Sequence, residues 1–267
     1  MEFLGYRFMQ RALLAGNMVG IIAPAVGVFL NLRRLSLIGH TLSHVALAGV
    51  ALGLFLGIFP VYTALVVSVL AALAVERLRQ NYEDYAELAL AVILAAGMGL
   101  AVILISAAGQ TAGVHSYLFG SISLVGTRDI YTIAPLFFLI IFILARYYYG
   151  FFFLAFNEHE ARLGGVPVKF LNIIFMVIVS ITVALSIRIV GALLISSLIT
   201  IPVAAGMQLG GSFRSTLAAS IAASLISVNS GLIISFYLDL APGGTIILIN
   251  VSLLLLLIGG RKLSALF

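Results

Sequence analysis

Apolar residues along this chain come in runs of about twenty, broken by short clusters of charge, proline or glycine. That length matches the roughly 20 residues an α-helix needs to cross a hydrocarbon core ~30 Å thick. Nine spans are predicted, at about 11–31, 36–57, 60–78, 86–107, 131–154, 168–187, 189–208, 215–237 and 245–260. The second and third nearly touch at Pro60 and the sixth and seventh at Arg188, so eight spans result if one pair forms a bent or re-entrant unit. The runs lack the apolar–polar alternation of barrel strands, which leaves an all-α, polytopic membrane protein as the fold class. No linker, low-complexity tract or repeat divides the chain, and a single transmembrane domain over 1–267 is the economical reading.

Composition agrees with the pattern. Of 267 residues, 63% are hydrophobic and 9% charged, against about 25% charged in a water-soluble domain. Cysteine is absent, which excludes disulfides and thiolate metal sites and leaves any metal to His, Asp, Glu or oxygen dipoles. No Gly-x-x-x-x-Gly-Lys-Ser/Thr loop occurs, so ATP is not bound through a P-loop. The net charge of +5 comes from Lys and Arg flanking the spans and is not a nucleic-acid signature. Ten basic residues (Arg33, Arg34, Arg77, Arg79, Arg146, Arg162, Lys169, Arg214, Arg261 and Lys262) fall on one side, against Arg7, Arg11, Arg128 and Arg188 on the other. The larger set belongs in the cytoplasm and the N-terminus outside. Met1–Arg11 carries Glu2, Arg7 and Arg11 and has no short apolar core with a cleavage site, so the first helix is expected to act as its own targeting signal.

Candidate chemistry concentrates in the second span. His40 and His44 are half of the four histidines in the chain. Their i,i+4 spacing puts both imidazoles on one helix face, one turn apart, where they can hold a single ion. Gly39, Ser43, Ala46, Gly49 and Gly53 form a second stripe, of small residues, that admits another helix closely. An ionisable group at membrane depth is costly unless paired, so the histidines mark a functional site or a satisfied core contact. Asp239, the only acid after Glu160, precedes the Pro242-Gly243-Gly244 turn and reads as a metal ligand, a gate residue or a plain exterior turn aspartate. At ~1.5 Å rise per residue His44 lies ~12 Å into the core, so it shares an ion with Asp239 only if span two starts deeper or 235–245 is re-entrant.

Two connections exceed simple turns. Ala108–Asp129 is Gly- and Ser-rich, contains His115, and is expected to be partly re-entrant or to lie along the outer surface. In 157–167, Asn157 can cap a short helix with Glu158 and Glu160 in its first turn and Gly164 or Gly165 at its end. On residue content alone this is a docking element or a solvated loop.

Four stretches, in order along nearly the whole chain, carry a resemblance. They are Leu35–Gly53 (LSLIGHTLSHVALAGVALG), Tyr117–Ile122 (YLFGSI), Val190–Ala205 (VGALLISSLITIPVAA) and Ser235–Leu248 (SFYLDLAPGGTIIL). Together they resemble the permease subunit of bacterial ABC importers for zinc, manganese or iron, the ABC-3 family. The resemblance implies a type II importer-like fold in the bacterial cytoplasmic membrane and a subunit that is not itself an enzyme. It implies a homodimer, two cytoplasmic ABC ATPase subunits, an extracellular metal-binding lipoprotein that hands over the ion, and no permanently bound cofactor. It also makes 157–167 the coupling helix, with Glu158, Glu160, Ala161 and Gly164 at the ATPase contact, and makes His40, His44 and Asp239 metal residues. One departure matters. Where the family commonly has Asp one turn before the His that matches His44, this chain has His40. An imidazole there favours Zn²⁺ over Mn²⁺ or Fe²⁺ as cargo. The rival readings are an ABC permease for a siderophore- or cobalamin-type solute and a proton-coupled secondary transporter, which would normally need more intramembrane carboxylates.

Overall fold

The computed structural model describes residues 5–82, 86–108 and 111–264; Glu2 and the Lys262 side chain lie outside what is described. Its helices are α1 (Arg7–Leu32), α2 (Ser36–Leu56), α3 (Pro60–Asn81), α4 (Ala86–Ala108), α5 (Thr111–Phe119), α6 (Thr127–Arg146), α7 (Tyr148–Phe156), α8 (Glu158–Leu163), α9 (Val168–Val190), α10 (Ile195–Leu209), α11 (Phe213–Leu238) and α12 (Pro242–Ser264). Among the described residues there is no strand. Eight of these helices are long and apolar enough to cross a bilayer, and α10 is a shorter apolar helix. The protein is a multi-pass, all-helical membrane protein. α1, α2 and α9 form the buried centre, while α4 and α12 lie outermost and turn Leu88, Val92, Ile103, Leu248, Leu255 and Leu256 outward.

Two predicted spans are redrawn. The run 131–154 is not one helix, because α6 stops at Arg146 and α7 restarts at Tyr148. The turn carries Phe151 onto Phe29 and Phe175, at ring-centroid distances of 5.9 and 5.7 Å, so aromatic packing at the cytoplasmic rim pulls the chain out of the span direction. The run 189–208 is also broken. α9 continues to Val190, Gly191–Leu194 turn, and α10 is 15 residues long, or ~22 Å of helix.

A junction of three backbones accounts for that second break. The segment after α5 lies against the end of α9, with the Ala192 N–H donating to the Tyr117 carbonyl (2.7 Å), Leu193 N–H to Leu118 (3.3 Å) and Ser121 N–H to Arg188 (3.4 Å). These bonds satisfy groups that the broken helix leaves open at membrane depth, where an unpaired one is costly. Contact this close leaves no room for side chains. A Cβ on Gly191 would meet the Leu118 carbonyl and lie 2.5 Å from the Gly120 nitrogen. One on Gly120 would strike the Ile189 carbonyl, and one on Gly243, at the start of α12, the Val190 carbonyl. Gly120 and Gly191 also have φ of +79° and +87°, a region L-residues with side chains rarely adopt.

Elsewhere van der Waals packing of small residues holds the bundle, since lipid supplies no hydrophobic drive between helices. The small-residue stripe on α2 meets α3 through Gly49, whose Cβ would lie 2.7 Å from the Ala64 Cα, and Gly53, at the same distance from the Pro60 Cα. Gly191→Ala should therefore lower stability by roughly 2 kcal/mol or more. Gly99→Ala, on an α4 surface with nothing within 4 Å, should leave it unchanged or slightly raised. Thermal unfolding of the two variants in detergent checks the contrast, and equal melting points would contradict it.

Candidate metal path and cytoplasmic helix

α1 ends at the cytoplasmic rim, Arg34 turns the chain at φ +56°, and α2 starts at Ser36. One turn in, the rings of His40 and His44 meet edge to face with centroids 4.8 Å apart. His40 is half-buried and His44 is 9% exposed. Successive steps of ~100° place Gly49 and Gly53 across the helix from His40. Gly49 and Gly53 of the small stripe thus pack on α3, and the imidazoles project to the other side.

Asp239 is not with them. It is the left-handed residue that closes α11 (φ +50°) and lines an outer pocket with Phe8, Ser121, Ser123, Ser235 and Pro242. Phe8 packs on Phe236 near the start of α1, some 36 Å of helix from the end where α2 begins. His44 is ~12 Å above that end, so Asp239 sits ~25 Å further out. The 235–245 segment reaches the junction at Val190 through Gly243, while Asp239 itself stays at the end of α11 beside Phe8. Helix length thus separates Asp239 from His40 and His44, and no group of three His, Asp or Glu that could hold a metal occurs among the described residues. His115 is exposed on α5, stacked on Phe119 at 6.3 Å.

At the cytoplasmic end the short helix forms where expected. The Asn157 side chain accepts from the His159 and Glu160 N–H groups (3.0 and 3.2 Å), and the helix closes at Gly164 before Gly165 at φ +79°. Its residues face two ways. Glu158 turns inward, 3.4 Å from Arg33 and 3.6 Å from Arg79, and accepts from the Asn172 amide (3.1 Å). Ala161 is 3% exposed. Both belong to the set expected at the ATPase contact; in this arrangement Glu158 fastens the helix to the ends of α1, α3 and α9, and Ala161 packs into the core. The outward side carries His159, Glu160, Arg162 and Leu163.

Reading the residues alone missed this network. Arg33 and Arg79 were legible only as cytoplasmic charge. In the fold, Arg33 donates to Asn172 (2.8 Å) and lies over the Phe175 ring, while Arg79 is bidentate on the buried Glu76. Burial first, then the neighbouring Arg79, pull the Arg33 pKa below its ordinary value, and Glu158 and Glu76 oppose the shift. A second missed pair lies outside. Asp129, 2% exposed, accepts from the Gly126 N–H (2.8 Å) and from Arg188 (3.4 Å), and Arg188 also donates to the Leu124 carbonyl (2.7 Å). That pair clamps the 117–126 segment onto α9.

Comparison with known proteins places this architecture. A match to the ABC 3 transport family covers residues 5–259. A probable metal transport system membrane protein of Treponema pallidum is 38% identical over 255 residues, covering 96% of each chain. The high-affinity zinc uptake system membrane protein ZnuB of Haemophilus influenzae is 29% identical, over 96% of this chain and 99% of that one. The manganese transport system membrane protein MntC of Listeria monocytogenes is 27% identical, over 91% and 87%. Among solved structures, PsaBC from Streptococcus pneumoniae in complex with Fab superimposes with a TM-score of 0.86 at 28% identity, covering 96% of this chain and 94% of that one.

Removing Glu158 leaves Arg33, with a side chain 5% exposed, short of a counter-charge. Glu158→Ala should cost on the order of 2 kcal/mol, whereas Glu160→Ala on the outward side should leave stability unchanged. Melting temperatures of the purified variants check this, and an equal loss in both would show that Glu158 is no anchor.

Proposed function

We propose a function from one premise: the chain belongs to the ABC 3 transport family. It is the permease subunit of a metal ABC importer in the bacterial cytoplasmic membrane, and its cargo is a divalent transition metal, Zn²⁺ before Mn²⁺ or Fe²⁺. The observation that carries the reading is the edge-to-face pair His40 and His44, held one turn above the cytoplasmic end of α2. Two imidazoles are too few for a stable first shell, and too few is what a transport site needs. A second copy of the chain about a two-fold axis can add nitrogen, with water completing the shell of an ion that accepts tetrahedral nitrogen and oxygen ligation. Neutral imidazoles bring no compensating charge, which keeps binding of a +2 ion exchangeable. Mn²⁺ favours oxygen, and His40 stands where an oxygen ligand would serve it better.

Asp239, far out from the pair, belongs to the outer mouth, where an extracellular solute-binding protein delivers the ion. ATP is hydrolysed on two separate cytoplasmic subunits. These dock against the outward side of α8, at Glu160 and its neighbours, while Glu158 and Ala161 transmit the displacement into α1, α3 and α9. Movement of those helix ends changes which side of the membrane reaches the histidines.

In the assembled transporter, His44→Ala should reduce metal uptake by more than tenfold with unchanged protein in the membrane. His40→Asp should shift the preference from zinc toward manganese. Radiometal uptake in vesicles measures both. Unchanged uptake in His44→Ala would refute the site, and an unchanged zinc-to-manganese ratio in His40→Asp would refute the zinc assignment.

A further inference from the structure

The histidine pair has a counterpart on the neighbouring helix α10, and it is made of hydroxyls. α2 and α10 meet where the Ile199 side chain comes within 3.6 Å of the Cβ position on Gly39, with the Ile199 carbonyl resting on Gly27 of α1. Gly39 and Ile199 are therefore within about one helical turn of each other in depth. The two helices run in opposite directions, because α2 leaves the cytoplasmic rim and α10 returns to it. In antiparallel neighbours the direction of rotation reverses along with the direction of travel. A step of ~100° beyond the contact thus turns to the same side on each.

The residue after Gly39 is His40, and the residue after Ile199 is Thr200. They form one rung. Four residues on from His40 is His44, and four residues back from Thr200 is Ser196, each ~6 Å further from the rim. They form the next rung. The burial pattern fits this placement: Gly39, Thr41 and Ile199 are buried, while His40, Ser196 and Thr200 all keep partial exposure on this seam. Polar groups left partly open at membrane depth face protein or water rather than lipid.

The chemistry of Thr200 suits a hydrated cation. Its hydroxyl donates to the Ser196 carbonyl (2.8 Å), which commits the only proton and leaves two lone pairs as pure acceptors. Water bound to a divalent ion is a strong donor that needs such acceptors. We propose that Thr200, with Ser196 one turn above, is a positioning and specificity residue of the metal path, accepting hydrogen bonds from water on the ion that His40 and His44 ligate. The proposal rests on the metal-path reading of the histidines. It adds an oxygen side to a nitrogen site, and so gives a reason why a part-hydrated ion can be held and passed on. A water molecule that stays on the ion through Thr200 favours Mn²⁺, which retains water readily, more than Zn²⁺.

The test compares Thr200→Val, which keeps the shape and removes the acceptor, with Thr200→Ser, which restores it, in the complete reconstituted transporter. Uptake of Zn²⁺ and Mn²⁺ is measured as KM and kcat separately, with basal ATP hydrolysis and melting temperature as controls. Thr200→Val should raise KM about tenfold, the loss expected for one charge-assisted hydrogen bond. The effect should be larger for Mn²⁺ than for Zn²⁺, should fall on KM more than on kcat, and should be recovered in Thr200→Ser. Ser196→Ala, a milder change in a helix, should raise KM in the same direction and serves if Thr200→Val melts early. Unchanged KM for both metals in Thr200→Val and Ser196→Ala, with His44→Ala inactive, would overturn the proposal and leave the histidine site standing. Unchanged KM in all three would overturn the histidine site as well.

Discussion

The bilayer offers backbone no water, so any break in a spanning helix must be paired within the protein. Among the described residues the chain breaks at depth between Val190 and Ile195, and the pairing comes from the segment after α5. Gly120, Gly191 and Gly243 make that possible, because only residues without a Cβ let three backbones come within contact. The consequence reaches well beyond the junction. Stopping α9 there and restarting as a short α10 sets the register of α10 against α1 and α2, and hence which of its side chains stand beside His40. The ion pair of Asp129 with Arg188 fastens the same segment from the outside.

A second fixed point lies at the opposite end. Arg33, Arg79, Glu76, Glu158 and Asn172 join the ends of α1, α3 and α9 to the short helix α8. Buried and partly buried charges of this kind contribute little net stability but define one geometry, since any loosened member leaves another unpaired. A push on α8 is thus delivered to three helix ends at once. The histidines lie between the two fixed points, on a helix that follows α1 through one tight turn at Arg34.

Much of this was legible in the residues. Hydropathy marked the spans because a helix must be apolar for about twenty residues to cross lipid. Pro60 marked the start of α3 and Asn157 the cap of α8, both through local backbone chemistry. The spacing of His40 and His44 was enough to place their rings together. What could not be read was direction at right angles to the chain. Residues 131–154 form an unbroken apolar run, and only the contact of Phe151 with Phe29 and Phe175 shows why it bends at Tyr147. Glu158 and Glu160 are the same residue type two positions apart, yet one anchors and the other faces out. Span geometry already set Asp239 apart from the histidines unless span two started deeper or 235–245 was re-entrant, and the length of α1 puts a distance on that separation. The glycines of the junction each lay within a stretch recognisable by resemblance, but their contacts join residues between about 50 and 125 positions apart.

The account stands or falls on imidazole ligation of the cargo. X-ray absorption on Zn²⁺ held by the complete transporter tests it most directly. The prediction is a first shell at ~2.0 Å with the outer-shell scattering of imidazole rings, lost when His40 and His44 are both replaced by alanine. A shell of oxygen alone without ring scattering, or one unchanged by that double replacement, would contradict the account.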